Sequence, residues 1–131
     1  MQQQFAQTVK IGVMSTLKLY GIPNCNTVKK VRDWLFNNDI AYTFHDFKKQ
    51  GISAELLNIW IAQFSHEKLI NRAGLTWRGL DEITKNSIID NASAVTLMQT
   101  KTSVIKRPVL ENDGKILYLG FNEAVYLELF K

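Results

Sequence analysis

Cys25 is the only cysteine in the 131-residue chain, and its thiol is a candidate nucleophile. It follows the loop 21–24, and the apolar residues after it recur at helical spacing, so it is predicted to lie at the start of a helix. Free backbone N–H groups and the positive end of the helix dipole would then face the sulfur and lower the thiol pKa from its free value of about 8.5. Position alone leaves two interpretations open, a reactive thiolate and a small buried apolar side chain.

Three basic residues are candidates for holding an anion beside this thiol. Lys29 lies one turn into the predicted helix and can reach back over its start. Arg107 precedes Pro108, which is either a tolerated first residue of a strand or part of a cis peptide bond that turns the backbone toward the first helix. Arg72 follows a short predicted helix and is either a surface charge or a ligand for an anion. The predicted site residues are the catalytic Cys25, Lys29 and Arg107 and the substrate-binding Arg72, Asn24 and Pro108.

The composition argues against several other classes of function. The net charge of +4 comes from basic residues scattered among acids, which is typical of a solvated surface and predicts no nucleic acid as partner. No apolar run approaches the roughly 18 residues of a membrane span, so no membrane is predicted as partner either. One cysteine excludes an internal disulfide and a four-thiolate zinc site, and neither His45 nor His66 has a second ligand at metal spacing. A lone thiol without a secretory signal predicts a cytoplasmic protein with no bound metal or cofactor.

An α/β frame is predicted around Cys25. Residues 16–20 and 41–47 alternate in polarity as strands do, and residues 26–38 between them have helical spacing. They form a β-α-β unit, whose strands should be parallel and whose crossover should be right-handed.

The remainder of the chain is predicted to contain a helical insertion and then a β-β-α unit. Ser53 can cap a helix, and shorter helical pieces follow around residues 66–70, 80–86 and 92–100, so the insertion covers about 53–103. The dipeptide Asp113-Gly114 predicts a hairpin between strands at 108–111 and 115–119, before a last helix that begins at Asn122 or Glu123. We expect one domain over residues 14–131, preceded by a disordered N-terminal extension over 1–13.

Several separated motifs resemble the ArsC/Spx family and are closest to its YffB-like branch. They are GIPNCNTVKK at 21–30, NRAGLTWRGLD at 71–81, KRPV at 106–109 and GFNE at 120–123. The resemblance implies a thioredoxin-like fold with a mixed sheet of about four strands. It also implies that Cys25 is the nucleophile and that Pro108 is a cis proline.

The resemblance also bears on the substrate. Arsenate reductases of this family hold the oxyanion with three arginines, and Arg72 and Arg107 match two of them. The third position falls near Leu119-Gly120, where this chain has no arginine, and Lys29 stands where the reductases carry arginine. The YffB-like branch resembles a set of glutathione-dependent thiol reductases, which fits a chain whose single thiol needs an external resolving thiol.

Three functions follow as hypotheses. The first is a glutathione-dependent thiol oxidoreductase, acting as a monomer, with glutathione as co-substrate and an oxidised thiol or an oxyanion as substrate. The second is arsenate reduction proper. The third is an Spx-like regulator that binds RNA polymerase and catalyses nothing; Spx proteins typically use a cysteine pair, whereas Thr27 and Val28 stand two and three residues after Cys25 here.

Overall fold

The computed structural model describes residues 16–131, which are built around a mixed four-stranded sheet of order β2-β1-β3-β4. The strands are β1 Leu17–Gly21, β2 Thr43–Asp46, β3 Val109–Asn112 and β4 Lys115–Leu119. Strand β1 pairs in parallel with β2 and antiparallel with β3, which in turn pairs antiparallel with β4. The predicted extension at 1–13 lies outside the described residues.

The β-α-β unit forms as predicted, with helix α1 (Asn26–Asn37) joining β1 to the parallel strand β2. Strand β2 is shorter than the predicted 41–47 at both ends. It stops at Asp46 because that carboxylate accepts hydrogen bonds from the backbone of Lys48 and Lys49 and so begins a short helix at Phe47.

The elements between β2 and β3 are helical. They are α2 Phe47–Gln50, α3 Ala54–Gln63, α4 His66–Leu69, α5 Leu75–Arg78, α6 Glu82–Asn86, α7 Asn91–Thr100 and a 3₁₀ turn at Thr102–Val104. Ser53, as predicted, caps α3 by accepting a hydrogen bond from Leu56. Helix α5 was not predicted, since Gly74 and Gly79 on either side of it indicated breaks between helices.

The predicted hairpin is present, and its turn explains why the dipeptide is a good signal. Asp113 and Gly114 have φ angles of 53° and 83°, so both central residues occupy the left-handed region that a tight two-residue hairpin requires. After Gly120 the chain enters helix α8 (Glu123–Leu129), where Asn122 caps the first turn through Val125. The α/β fold predicted from sequence is therefore confirmed.

The sheet separates two hydrophobic clusters. On one face, α1 and α8 cover a cluster that consists of Leu17, Leu19, Val31, Leu35, Leu110, Tyr126 and Phe130. On the other, the helices between β2 and β3 cover a larger cluster with Trp60, Leu57, Leu69, Met98, Ile105 and Val109 among its buried members. No helix within residues 16–131 is long and apolar enough to cross a membrane.

Candidate active site at Cys25

Cys25 occupies the N-cap position of helix α1, at the carboxyl end of β1, as the sequence predicts. Its backbone is extended, with φ −126° and ψ 126°, and its carbonyl accepts the first helical hydrogen bond, from Lys29, at 2.9 Å. The preceding residues Pro23 and Asn24 form a tight turn. The sulfur is thus carried to the end of α1 at which the helical N–H groups are free.

The thiol is partly buried, and its surroundings favour the thiolate. Burial raises the pKa of Cys25, but hydrogen bonds from the backbone N–H groups of Val28 and Thr27 and the guanidinium of Arg107 outweigh this effect. The pKa of Cys25 therefore lies below that of an ordinary cysteine. Since the thiolate is the nucleophilic form, this site favours a reactive thiol over the alternative of an inert buried one.

The loop approaches the helix so closely that only glycine fits at the end of β1. A Cβ atom at Gly21 would lie 2.8 Å from Cγ2 of Val28, whose side chain is fully buried. Val28 belongs to the same first turn that donates its N–H to the sulfur. Because Gly21 has no side chain, Val28 can pack against the end of β1, and this contact positions the first turn of α1 beside Cys25.

Arg107 comes to the thiol from the segment that leads into β3. The Arg107–Pro108 peptide bond is cis, as the resemblance implies, and Pro108 is buried. The guanidinium donates a hydrogen bond through Nη1 to the carbonyl of Ser103 at 2.6 Å, which holds it in place. Its Nε is buried without a hydrogen-bond partner among the described residues. Because a guanidinium has five N–H donors, Arg107 can bind an anion beside Cys25 while it keeps its bond to Ser103.

Two of the predicted site residues lie near the thiol without acting on it in this structure. Lys29 is exposed on the first turn of α1 and is not among the groups that shift the pKa of Cys25. Asn24 is exposed in the turn before the thiol, and its side chain makes no hydrogen bond within residues 16–131. The catalytic role of Lys29 and the substrate-binding role of Asn24 stay predictions.

Arg72 belongs to a different feature, a groove beside the edge strand β4. This groove has a volume of about 430 Å³, and its lining includes Arg72, Lys68, Lys106 and Tyr118. The guanidinium carbon of Arg72 lies 4.6 Å from the centre of the Trp77 ring, a stacking contact that orients the plane of the guanidinium. Arg72 is not among the groups that shift the pKa of Cys25. The structure therefore brings Arg107 to the thiol but places Arg72 in the groove.

Sequence reasoning missed Lys68 and Lys106 as members of a site. A single antiparallel bridge between Ile70 and Ile105 brings their two segments together. The bridge is held by hydrogen bonds from Lys106 N to Leu69 O and from Asn71 N to Val104 O, each 2.8 Å long. A pairing of one residue leaves no strand-like alternation in either segment, so no sequence signal could have shown it.

The described residues contain no group of three or more His, Cys, Asp or Glu side chains that could hold a metal ion.

Comparison with known proteins agrees with this geometry. Residues 20–129 match the ArsC family. The solved structure of a YffB protein is similar, with a TM-score of 0.81 and 44% identity, over 88% of this chain and 100% of that one. The solution structure of an arsenate reductase (ArsC) related protein from Brucella melitensis has a TM-score of 0.70 and 47% identity, over 88% of this chain and 95% of that one.

A transcriptional regulator is also similar to this chain. The global transcriptional regulator Spx of Enterococcus faecalis is 28% identical over 118 residues, which are 82% of this chain and 80% of that protein. Since the family match covers most of the chain and the similar structures share the arrangement around the sheet, this chain belongs to the ArsC family and has its thioredoxin-like fold.

Proposed function

We propose that the protein is a thiol oxidoreductase that uses Cys25 as its nucleophile and glutathione as its co-substrate. The observation that carries the proposal is the placement of the sulfur at the start of α1, where two backbone N–H groups and Arg107 stabilise the thiolate. A thiolate stabilised in this way is present at neutral pH to a larger extent than an ordinary thiol. The similarity to a YffB protein and to an arsenate reductase related protein supports oxidoreductase chemistry.

The reaction proceeds through two thiol–disulfide exchanges. In the first, the Cys25 thiolate attacks one sulfur of an oxidised substrate, a new S–S bond forms, and the old S–S bond breaks. The released substrate sulfur leaves as a thiolate and takes up a proton from solvent. In the second exchange, a glutathione thiolate attacks the disulfide on Cys25 and releases the Cys25 thiolate again.

An external thiol is needed because the chain has no second cysteine to resolve the intermediate. Glutathione has the right chemistry, since it supplies a thiol together with two carboxylates. The guanidinium of Arg107, which lies beside Cys25, supports this choice because it can pair with a carboxylate or with the departing sulfur. The two exchanges convert the substrate disulfide to one free thiol and one mixed disulfide with glutathione. Attack of a second glutathione thiolate on that mixed disulfide releases the second substrate thiol and glutathione disulfide, so the substrate gains two electrons and two glutathione molecules lose them.

The proposal is tested by measuring the rate of Cys25 alkylation with iodoacetamide as a function of pH. We expect the midpoint of the profile to lie below the value of about 8.5 for a free thiol. Mass spectrometry after incubation with oxidised glutathione should show one adduct of glutathione, absent from Cys25→Ser and removed by fresh reduced glutathione. A midpoint at or above the free-thiol value, or no adduct, would contradict the proposal.

Arsenate reduction is a second candidate because a cation lies near the position that lacks the third arginine. The Cε atom of Lys106 is 3.7 Å from the point that a Cβ at Gly120 would occupy. A lysine supplies a point charge there but not the planar fork with which arginine binds an oxyanion in two places. Glutathione-dependent turnover of arsenate that is lost in Arg107→Ala would favour this candidate over a thiol substrate.

An Spx-like regulatory role is the third candidate, since the Spx protein of Enterococcus faecalis is similar over most of the chain. The single cysteine argues against a redox switch made of a cysteine pair. A pull-down of RNA polymerase subunits with the full chain distinguishes this candidate, and we expect no polymerase to be recovered.

A further inference from the structure

The groove beside β4 is lined by more positive than negative side chains. Lys68, Arg72 and Lys106 line it, against one acidic residue, Glu67. Within residues 16–131, none of these three cations forms an ion pair, and none of their side chains donates a hydrogen bond. Three cations gathered in a concave surface attract an anionic ligand more strongly than the same charges dispersed over a convex one.

The remainder of the lining indicates a ligand that also has apolar parts. Leu117, Tyr118 and Leu119 of β4, together with Phe64 and Ile70, form the walls of the groove. A bare inorganic oxyanion would leave this apolar surface unused, whereas a peptide segment with carboxylates and apolar groups would cover it.

The edge of β4 restricts how such a peptide could bind. The side-chain amide of Gln63 donates to the carbonyl of Ile116 at 2.8 Å and accepts from its N–H at 2.9 Å, and thus takes the place of a neighbouring strand. Because these backbone groups are occupied, a peptide cannot extend the sheet along the whole of β4. Recognition in the groove must therefore depend on side chains, and above all on charge.

The groove is connected to the thiol through adjacent residues of one segment. Lys106 lines the groove, and the next residue, Arg107, interacts with Cys25. Leu119 of the groove pairs with Val109, which pairs with Tyr20 of β1, so two strand spacings of about 4.8 Å separate the groove from the strand that leads to the thiol. Leu119 and Tyr20 are therefore about 10 Å apart across the sheet, a span that one short peptide can cover.

We propose that this groove, formed by Lys68, Arg72, Lys106 and the apolar residues of β4, binds an acidic segment of the protein that carries the oxidised thiol. The inference rests on the proposed function and names the class of its substrate. An extended peptide rises about 3.3 Å per residue, so a span of about 10 Å corresponds to three or four residues. The preferred substrate is a cysteine disulfide in a protein, with a glutamate or aspartate three or four positions away.

The test uses short peptides in which one cysteine forms a disulfide with 2-mercaptoethanol, which carries no charge. In each reaction the Cys25 thiolate attacks the peptide sulfur, the S–S bond to 2-mercaptoethanol breaks, and 2-mercaptoethanol leaves and takes up a proton. Single glutamates are placed two, three, four or six residues from the cysteine on either side, with glutamine at the same positions as the neutral reference. The measured quantity is the ratio of the second-order rate constants for each glutamate and glutamine pair.

We expect this ratio to reach about tenfold at a spacing of three or four and to approach one at two and six. In the double variant Lys68→Ala/Lys106→Ala the ratio at three or four should fall from about tenfold toward one. The matched control is Lys115→Ala, which removes an exposed lysine at the hairpin turn and should leave the ratio unchanged. A ratio independent of spacing, or equal in the wild type and the double variant, would overturn the inference.

A second measurement keeps the inference separate from the redox chemistry. A peptide with serine in place of cysteine cannot react, and its binding to the full chain can be followed through the backbone amide signals of Lys106 and Tyr118. Shifts that require the glutamate support the groove even if Cys25 proves unreactive, and their absence overturns it. Displacement of the peptide by S-methylglutathione at equal concentration would assign the groove to glutathione and also overturn it. Failure of every peptide to react, with binding intact, would contradict the proposed function alone.

Discussion

The thiol side of the molecule, around Cys25 and Arg107, and the groove side, around Lys68 and Lys106, differ in whether their charged groups have partners. On the thiol side, Cys25 receives two backbone N–H groups, and Arg107 is held by Ser103 and lies beside the sulfur. On the groove side, Lys68 and Lys106 are exposed lysines without ion pairs in the described part of the chain. The difference indicates that the thiol side is organised before a ligand arrives, whereas the groove needs its ligand to neutralise it. Substitutions should therefore have large and salt-independent effects on one side, and smaller, salt-dependent effects on the other.

The largest effect is expected from Gly21→Ala on the thiol side. Its Cβ would lie 2.8 Å from the buried Val28, a side chain with stiff rotamers, so the first turn of α1 must move. We expect the free energy of unfolding to fall by about 1–3 kcal/mol, as is usual for overpacking, and the alkylation rate of Cys25 to change with it. Urea denaturation and iodoacetamide kinetics measure the two quantities.

The control for this prediction is a double-mutant cycle with Val28→Ala. Removal of the two methyl groups opens space for the new Cβ, so Gly21→Ala should cost less in that background than in the wild type. Equal costs in both backgrounds would show that the contact between residues 21 and 28 is not what destabilises the variant.

The next effect is expected from Arg107→Ala, which removes the cation beside the sulfur. The thiol pKa should rise toward its ordinary value, and the alkylation rate at neutral pH should fall about tenfold, since a hydrogen bond to a charged group contributes about 1.5–3 kcal/mol. Arg78→Ala removes an exposed arginine at the end of α5 and is the matched control. An unchanged pH profile in Arg107→Ala would show that Arg107 does not stabilise the thiolate, and the thiol side would then not differ from the groove in this respect.

The same variant has a consequence for how stability depends on pH. Because the pKa of Cys25 is lowered by folding, the thiol stabilises the fold above the unfolded value of about 8.5, and this contribution is lost as the pH falls through the lower folded value. The difference in unfolding free energy between wild type and Cys25→Ser should therefore increase with pH in this range. In the Arg107→Ala background the increase should be smaller.

A smaller effect is expected from Gln63→Ala behind the groove. The variant loses both hydrogen bonds to the backbone of Ile116, but water can replace them at this edge, so the unfolding free energy should fall by about 1 kcal/mol. Gln63→Glu keeps the acceptor for the N–H group and loses the donor, so it should also be destabilised. No loss in either variant would mean that the side chain does not secure this edge of the sheet.

The smallest effect on the thiol is expected from salt, which compares the two sides directly. An increase in ionic strength from about 0.1 M to about 1 M shortens the screening length from about 10 Å to about 3 Å. The preference for glutamate peptides should then fall toward one, while the pKa of Cys25 should move little. A shift in the thiol pKa as large as the loss of peptide preference would remove the contrast between the two sides.

The thiol side could be predicted from the sequence because its main signals are local. The position of Cys25 before a helical repeat fixed its place at the N-cap, and the dipeptide Asp113-Gly114 fixed the hairpin whose first strand follows Pro108. The glycine at position 21 is also near in sequence to the residue that it must accommodate. The role of Arg107 beside the thiol followed from the family resemblance and from the predicted order of elements.

The groove could not be predicted because its parts meet only in three dimensions. Lys68 and Lys106 lie 38 positions apart in the sequence and are brought together by one isolated bridge, which leaves no periodic pattern. Arg72 was singled out as a possible ligand and lines the groove, but its stacking on Trp77 depends on helix α5, which was not predicted. The length of β2 was overestimated because the capping by Asp46 competes with an apolar pattern that continues to Phe47.

The bridge at Ile105 and the buried Pro108 fix both ends of a two-residue span. Within that span Lys106 lines the groove and Arg107 acts on the thiol. Loss or gain of one residue there would shift the register of side chains and send the wrong cation to each side. The span can therefore tolerate changes of residue type far better than changes of length, and insertions or deletions should be selected against at this point even where the neighbouring helices vary in size.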